Sequence, residues 1–343
     1  MKIVADRDIP FLQDVLEPFA EVVYLRGDEI RPSDVADADA ILTRSRTVCD
    51  PALLAGSKVR FIGTATIGYD HIDMSYCSWQ GITVATAKGS NARGVLQWVS
   101  AALAWLAENR GKNPAGTTLG VIGVGNIGSL VRKYATEWGY KVMCSDPPRE
   151  HTEKLTVQDG FYPLRRIISQ SDIITLHTPL TLAGPDATYH MVNREFVAST
   201  KPNVAILNSS RGPVVGPKAI RMAVEEKQRD FLLDVWNNEP DVDPEVLEGV
   251  ALGTPHIAGY SQQGKATATA MIVNALAAKF KLPLRNWFPA GGYHSSPRPI
   301  SWEEMCETMP EYFDIVTQSA ALKAAPKDFE KFRNTYKYRF EYF

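Results

Sequence analysis

The chain has 343 residues, which predicts about two domains at roughly 150 residues each. Its 37 Lys and Arg residues nearly balance 39 Asp and Glu residues, so the formal charge is −2. This balance argues against a nucleic-acid-binding protein, whose binding domain usually carries a strong basic excess. The apolar share of 45% is that of a folded globular protein rather than a disordered one.

Cysteine usage and hydropathy indicate where the protein works. The four cysteines are widely spaced and form no cluster with zinc-site spacing, so we predict no metal site and a reducing compartment. The most apolar stretch, residues 95–107, contains Gln97 and Ser100 and is too short to span a bilayer. The N-terminus lacks the apolar region of a signal peptide. We therefore expect a cytoplasmic protein that does not bind membranes.

Short apolar runs alternate with helical patterns in the first part of the chain. The predicted strands are 2–5, 22–25, 40–43, 60–63 and 82–85, and the predicted helices include 11–19, 51–55 and 72–80. This alternation indicates βαβ units and a parallel sheet.

A long helix over residues 92–109 separates this series from a second one. The second series has predicted strands at 118–123, 141–145, 172–176, 204–208, 231–235 and 250–253, followed by a helix over 261–280. We predict an α/β protein with two doubly wound parallel sheets. Residues 93–260 form a domain inserted into one made of residues 1–92 and 261–284, and residues 285–343 form a small C-terminal extension.

A glycine-rich turn in the second series predicts a dinucleotide site. Gly123, Gly125 and Gly128 follow a strand and open a helix, with Asn126 and Ile127 between them. Such glycines permit a tight turn and close approach to a pyrophosphate, which the helix N-terminus then binds. The alternative is a glycine turn that serves only helix–strand packing.

Two polar residues extend this site along the predicted sheet edge. Asp146 ends the next strand, where an acid accepts from the ribose hydroxyls and favours NAD over NADP. Thr178 follows a third strand and is a further candidate cofactor contact. A purely structural role for the adjacent His177 remains as plausible as a catalytic one.

Three polar side chains follow successive strands of the second series. Arg211, Glu239 and His256 each lie near the carboxyl end of a strand, so we expect them to converge. An arginine binds a carboxylate as a fork, and a histidine supported by a carboxylate accepts a hydroxyl proton. This set suits oxidation of a hydroxyl next to a carboxylate.

Three segments resemble the D-2-hydroxyacid dehydrogenases, and the resemblance covers roughly residues 1–285. They are Asn208–Val215, Asp234–Pro240 and Pro255–Gly259. The resemblance implies a Rossmann NAD domain inserted into a flavodoxin-like substrate domain. It also implies that Arg211 binds the carboxylate, that Glu239 and His256 form the acid–base pair, and that Asp234 contacts the nicotinamide side.

Four further segments are similar to one branch of that family. They are Arg44–Arg46, Gly63–His71, Ser145–Arg149 and His256–Tyr260. The resemblance implies oxidation of 4-phospho-D-erythronate to 2-oxo-3-hydroxy-4-phosphobutanoate, on the route to pyridoxal phosphate. It also implies that Ser45, Thr66 and Tyr260 bind substrate and that Gly259 contacts NAD.

The phosphate of such a substrate needs a cation as well. Arg44, which directly follows a strand, is the favoured cation. Arg46 and Lys265 are also candidates, although both could equally be solvated surface charges.

The sequence departs from the family pattern in three places. Lys88 stands where relatives commonly have a proline before the glycine, and Gln97 stands where they commonly have a glutamate on the interdomain helix. The chain also stops soon after Phe329–Tyr336, a segment similar to the family's C-terminal module. That module implies a homodimer. Two alternative functions remain open: another 2-hydroxyacid dehydrogenase, such as one acting on phosphoglycerate, and an NAD-sensing binding protein that keeps the fold.

Overall fold

A computed structural model describes residues 1–226 and 229–343. Within these residues, the chain divides into two compact units. The first comprises Met1–Asn91 and Ser261–Ser296, and the second comprises Ala92–Tyr260 and Pro297–Phe343. The C-terminal extension predicted for residues 285–343 is therefore divided between the two units.

Both units are built from parallel strands and helices. The strands are β1 (Lys2–Asp6), β2 (Glu21–Leu25), β3 (Ala40–Thr43), β4 (Phe61–Thr64), β5 (Thr83–Thr86), β6 (Thr118–Ile122), β7 (Lys141–Ser145), β8 (Ile173–Leu176), β9 (Ala205–Asn208), β10 (Asp230–Leu233) and β11 (Leu252–Gly253). The helices are α1 (Pro32–Val35), α2 (Pro51–Leu54), α3 (Met74–Trp79), α4 (Ala92–Arg110), α5 (Asn126–Glu137), α6 (Pro147–Glu153), α7 (Leu164–Gln170), α8 (Arg194–Ala198), α9 (Pro217–Glu226), α10 (Pro244–Gly249), α11 (Gln262–Phe280), α12 (Trp302–Tyr312), α13 (Ile315–Ala324) and α14 (Phe329–Thr335). None of these helices is both long and apolar enough to cross a membrane.

The first unit contains a five-stranded sheet in the order β2-β1-β3-β4-β5. All of its strand pairs are parallel, and this order is the one found in flavodoxin-like folds. Apolar side chains are buried on both faces of the sheet, so the strands read as nearly continuous apolar runs. The predicted flavodoxin-like topology is confirmed.

The second unit contains a six-stranded parallel sheet in the order β11-β10-β9-β8-β6-β7. Its central strand β8 is buried along its whole length, as expected where helices cover both faces. The order changes direction between β6 and β8, and ligands of open α/β sheets bind at the carboxyl ends of strands at such a point. The predicted Rossmann-like sheet is confirmed.

The helix predicted for residues 11–19 is wrong. These residues form turns, and Phe11 and Asp14 have φ angles of +63° and +64°. Left-handed backbone cannot belong to a right-handed helix. The apolar spacing instead comes from Leu12 and Leu16, which are both buried in the core of the first unit.

The C-terminal helices α12 and α13 pack on the second unit. Met305 and Met309 of α12 join the same apolar core as α4 and α5. The ring of Phe343 lies 5.2 Å from the Tyr134 ring and 6.1 Å from the Trp138 ring, between centroids. Residues 297–343 are thus an integral part of the unit that carries the glycine-rich turn.

Candidate active site

The glycine-rich turn lies between β6 and α5, at the switch point of the second sheet. Gly123 has a φ of +85°, and a Cβ there would lie 2.7 Å from the carbonyl carbon and oxygen of His177. Only glycine therefore lets this turn meet the end of β8. A Cβ at Gly125, directly before α5, would meet none of the other described residues within 4 Å. The helix N-terminus thus borders open space of the kind a phosphate requires.

Three buried polar atoms after β8 and β9 indicate that a polar ligand binds here. His177 Nδ1, Thr178 Oγ1 and Ser209 Oγ have no hydrogen-bond partner within the described part of the chain. Burial lowers the pKa of His177 to about 3, so its imidazole is neutral. Because buried polar atoms in proteins are nearly always paired, these residues fit a dinucleotide that would supply the missing partners.

Asp146 connects the end of β7 to the glycine-rich turn. Its Oδ2 accepts a hydrogen bond of 2.7 Å from the Val124 amide, and its Oδ1 accepts one of 3.2 Å from the Arg149 amide. Each carboxylate oxygen has a second lone pair, so Asp146 can still accept from ribose hydroxyls. The acid predicted for ribose binding is therefore placed beside the turn predicted for pyrophosphate binding.

Arg211 follows β9 and begins a short 3₁₀ helix over Gly212–Val214. Its Nη1 donates a hydrogen bond of 2.8 Å to the Ser210 carbonyl. A Cβ at Gly212 would lie 1.9 Å from the Trp236 carbonyl oxygen, so a glycine is required for the backbones to approach this closely. This approach brings Arg211 next to the segment that carries Glu239.

Glu239 and His256 form a direct pair. His256 Nδ1 lies 2.7 Å from Glu239 Oε2, and Glu239 Oε1 accepts from the Trp236 amide at 2.9 Å. Burial alone would raise the pKa of Glu239, but the His256 charge and hydrogen bond, together with the Trp236 amide, outweigh it and lower that pKa. An ionised Glu239 accepts a hydrogen bond from the Nδ1–H group, so Nε2 of His256 is the atom that can take a proton.

Asp234 holds the loop that carries His256. Its two carboxylate oxygens accept from the amides of Ile257 and Ala258, each at 2.9 Å, and from the Thr254 hydroxyl at 2.6 Å. His256 has a left-handed φ of +56°, which is unfavourable for a residue with a side chain. The buried carboxylate thus stabilises a backbone conformation that His256 would not adopt by itself. The predicted contact of Asp234 with the nicotinamide side stays a prediction.

Arg44, Ser45 and Thr66 lie together at one edge of the first unit. They follow β3 and β4, which are adjacent parallel strands. Arg44 Nη1 donates to the Asp8 carbonyl at 3.0 Å, and Thr66 Oγ1 donates to the Gly68 carbonyl at 2.9 Å. Ser45 is exposed. The structure therefore groups the predicted substrate-binding residues of this unit, as expected for the carboxyl ends of parallel strands.

Tyr260 lies against the C-terminal residues of the second unit. Its ring is 6.2 Å from the Tyr336 ring and 5.8 Å from the Tyr338 ring, both in edge-to-face geometry. Arg339 donates to the carbonyl oxygens of Ile257, Ala258 and Tyr260. The loop that follows β11 contains Gly259, and residues of the C-terminal segment therefore hold it in place.

Comparison with known proteins identifies the family. Residues 84–258 match the family described as D-isomer specific 2-hydroxyacid dehydrogenase, NAD binding domain. The chain belongs to the D-isomer specific 2-hydroxyacid dehydrogenase family. It is 42% identical to the erythronate-4-phosphate dehydrogenase of Bacteroides fragilis, with 99% of this chain and 97% of that protein aligned. It is 36% identical to the protein of the same name from Porphyromonas gingivalis, over 98% of this chain and 92% of that protein.

Solved structures agree with this family of dehydrogenases. D-lactate dehydrogenase from Aquifex aeolicus, solved with NAD and lactic acid, superposes with a TM-score of 0.67 at 25% identity, covering 87% of this chain and 100% of that one. A 3-phosphoglycerate dehydrogenase from Entamoeba histolytica with bound NAD⁺ shares the fold, with a TM-score of 0.67 at 23% identity over 85% of this chain and 99% of that one. The protein is an NAD-dependent oxidoreductase of the 2-hydroxyacid dehydrogenase family.

Several residues at the site of this dehydrogenase are not predicted from its sequence. Ser209, Thr254, Arg333 and Arg339 were not singled out, and Asp234 was assigned only a cofactor contact. Ser209 could have been found, since it lies within the segment that carries Arg211. The two arginines carried no local signal, because their partners lie far away in the chain.

Replacing Glu239 with glutamine is expected to reduce the loss of stability in acid. A group whose pKa is lowered by folding contributes stability above its unfolded pKa, near 4.3, and loses it as the pH falls through the folded value. Between about pH 5 and pH 3, wild type should therefore lose more unfolding free energy than E239Q, as measured by urea titration. Glu245→Gln, an exposed change on α10, should behave like wild type. A steeper acid loss in E239Q than in wild type would contradict the pairing.

Proposed function

We propose that this dehydrogenase oxidises 4-phospho-D-erythronate to 2-oxo-3-hydroxy-4-phosphobutanoate, a step on the route to pyridoxal phosphate. The observation that carries the proposal is identity of 36% to 42% over nearly the full length of proteins named erythronate-4-phosphate dehydrogenase. The paired Glu239 and His256 and the neighbouring Arg211 supply the chemistry such a reaction needs.

The proton transfer in this proposal belongs to His256. When bound, NAD supplies the acceptor for the hydride that leaves C2 of the substrate. Nε2 of His256 takes the proton of the C2 hydroxyl, so the hydroxyl carbon becomes a carbonyl. Glu239 orients the imidazole through Nδ1 and stabilises the imidazolium that forms. Arg211 binds the substrate carboxylate as a two-pronged donor.

The residues assigned to NAD follow the sheet edge of the second unit. We assign the phosphates to the turn formed by Gly123, Gly125, Asn126, Ile127 and Gly128, because open space borders the start of α5. Asp146 takes the ribose hydroxyls. Thr178 contacts the cofactor through its hydroxyl, which has no hydrogen-bond partner among the described residues. Asp234 and Gly259 complete the nicotinamide side.

The remaining assignments concern the substrate and the cellular setting. Arg44, Ser45, Thr66 and Tyr260 bind the substrate, so the first unit acts as the substrate domain and the second as the NAD domain. The four cysteines are free thiols, which fits a cytoplasmic enzyme. The enzyme acts as a homodimer, as the resemblance of the C-terminal segment to the family's module implies.

Steady-state assays with NAD test the substrate. The values of kcat/KM for 4-phospho-D-erythronate, 3-phosphoglycerate and D-lactate would be compared on the same preparation. We expect kcat/KM to be highest for 4-phospho-D-erythronate. A higher value for either competitor overturns the substrate assignment, and tight NAD binding without turnover of any 2-hydroxy acid supports an NAD-sensing protein instead.

A further inference from the structure

An arginine of the C-terminal segment lies at the catalytic pair. Arg333, in α14, donates a hydrogen bond to the Tyr260 hydroxyl and interacts electrostatically with Glu239 and Asp234. Burial would lower its pKa, but Tyr260 and Glu239 outweigh this effect and raise it, so the guanidinium is charged. Its Nε is buried and has no hydrogen-bond partner within residues 1–226 and 229–343.

The neighbouring carboxylates already have other donors. Both oxygens of Glu239 accept hydrogen bonds, from His256 and from the Trp236 amide. Asp234 accepts hydrogen bonds from two backbone amides and one hydroxyl of the loop that follows β11. Arg333 is therefore not needed to neutralise a bare acid. A buried Nε–H donor that has no partner is unfavourable unless a ligand accepts a hydrogen bond from it.

The residues that follow Arg333 anchor the C-terminal segment. Arg339 is 6% exposed, and its guanidinium donates to the carbonyl oxygens of Ile257, Ala258 and Tyr260, and to that of Gly94 at 2.7 Å. Gln97 Nε2, on α4, donates to the Phe340 carbonyl at 3.1 Å. The C-terminal segment is thus bonded to α4 and to the loop that carries His256. The bond to the Phe340 carbonyl explains why a polar residue, Gln97, is buried on α4.

We propose that Arg333 binds the phosphate of the substrate, together with the Tyr260 hydroxyl, in the second unit. The inference rests on the proposed function, because it assumes a substrate with a phosphate monoester at one end and a carboxylate at the other. Arg211 serves the carboxylate, and Arg333 is a further cation for the phosphate, in addition to Arg44, which the sequence predicts. A guanidinium matches the oxygens of a phosphate as a fork, and a phenol hydroxyl adds a further donor.

The phosphates of NAD are the other candidate ligands of Arg333. They are assigned to the turn between Gly123 and Gly128, whereas the neighbours of Arg333 are Tyr260, Glu239 and Asp234. The contacts of Arg333 therefore favour the substrate over NAD. An experiment must separate these two sources.

The test compares Arg333→Met and Arg333→Lys with wild type on 4-phospho-D-erythronate and on unphosphorylated D-erythronate. Hydrogen bonds to charged groups contribute enough that R333M should lower kcat/KM for the phosphorylated substrate by about 10- to 100-fold. R333K should show a smaller loss, since it keeps the charge but not the fork. Activity on D-erythronate and the Kd of NAD should stay near wild type. Lys331→Met, which removes an exposed cation from the same helix, should match wild type in all assays.

Two results would overturn the inference. An equal loss on both substrates would place Arg333 in support of the catalytic pair, and a raised Kd for NAD with unchanged substrate preference would place it at the cofactor. Calorimetric titration of the NAD-saturated protein with inorganic phosphate separates this inference from the proposed function. If wild type does not oxidise 4-phospho-D-erythronate, the proposed function fails. The inference then stands only if phosphate binds to wild type and binds at least 10-fold more weakly to R333M, a threshold set by about one charged hydrogen bond.

Discussion

Replacing His256 with alanine is expected to lower kcat by about 10²- to 10⁴-fold, the range that a positioned general base contributes. His256 is the only side chain paired with Glu239 Oε2 among the described hydrogen bonds, and that pairing leaves its Nε2 to accept the hydroxyl proton. The Kd of NAD should change little, because the residues assigned to the phosphates and ribose lie on other loops. Steady-state assays in the direction of oxidation, with a fluorescence titration of NAD, measure both effects.

Two additional measurements make the His256 experiment specific. Added imidazole should restore part of the activity of H256A, since a small base can occupy the space left by the side chain. His294→Ala, an exposed change in the first unit, should leave kcat unaltered. An unchanged kcat in H256A would remove His256 from the proton transfer.

Replacing Arg211 with lysine is expected to lower kcat/KM by about 10- to 100-fold. Loss of one of the two charge-assisted hydrogen bonds of the fork, at about 1.5 to 3 kcal/mol, accounts for this range. Lysine keeps the charge but cannot form the planar fork, so conservation of charge alone should not rescue the enzyme. The values of kcat and KM are measured separately with the 2-hydroxy acid as the varied substrate.

The matched control for this change is Arg221→Lys on α9. Arg221 is exposed and pairs with Asp243 at 2.7 Å, so its replacement should leave both kinetic constants near wild type. Free guanidine should partly restore Arg211→Ala, because it supplies the missing donors. A loss in R211K no greater than that in R221K would exclude Arg211 from carboxylate binding.

The parts of the site that were predictable depend on local sequence. The glycine-rich turn is contiguous, and its neighbours in the chain reveal the strand before it and the helix after it. Arg211, Glu239 and His256 were predicted to converge because each follows a strand of one parallel sheet. The structure pairs Glu239 directly with His256, and Gly212 brings Arg211 close to the segment that carries Glu239.

The unpredicted parts depend on contacts between distant residues. Arg339 bonds to residues about 80 positions earlier, and hydrophobic periodicity carries no information about such pairs. The wrong helix at residues 11–19 has the same origin. Leu12 and Leu16 are spaced like residues on one face of a helix. They lie in successive turns of the backbone instead, and both side chains are buried in the core of the first unit.

The Thr254 hydroxyl links the catalytic loop to the long helix α4. It accepts from Trp98 Nε1 at 2.9 Å and donates to Asp234 at 2.6 Å. Trp98 is fully buried, and Trp236 Nε1 donates to the Thr254 carbonyl at 2.9 Å. Thr254 therefore joins the core of the second unit to the carboxylate that holds His256 in place.

The loop around His256 is held by Asp234 from one side and by Arg339 from the other. These anchors are all protein groups, so the loop needs no contact with a ligand to hold this conformation. Fixing a flexible backbone costs about 1 to 2 kcal/mol per residue in conformational entropy. In this dehydrogenase that entropy is lost during folding. Substrate binding therefore does not have to order the loop that carries His256, and the affinity for substrate is not reduced.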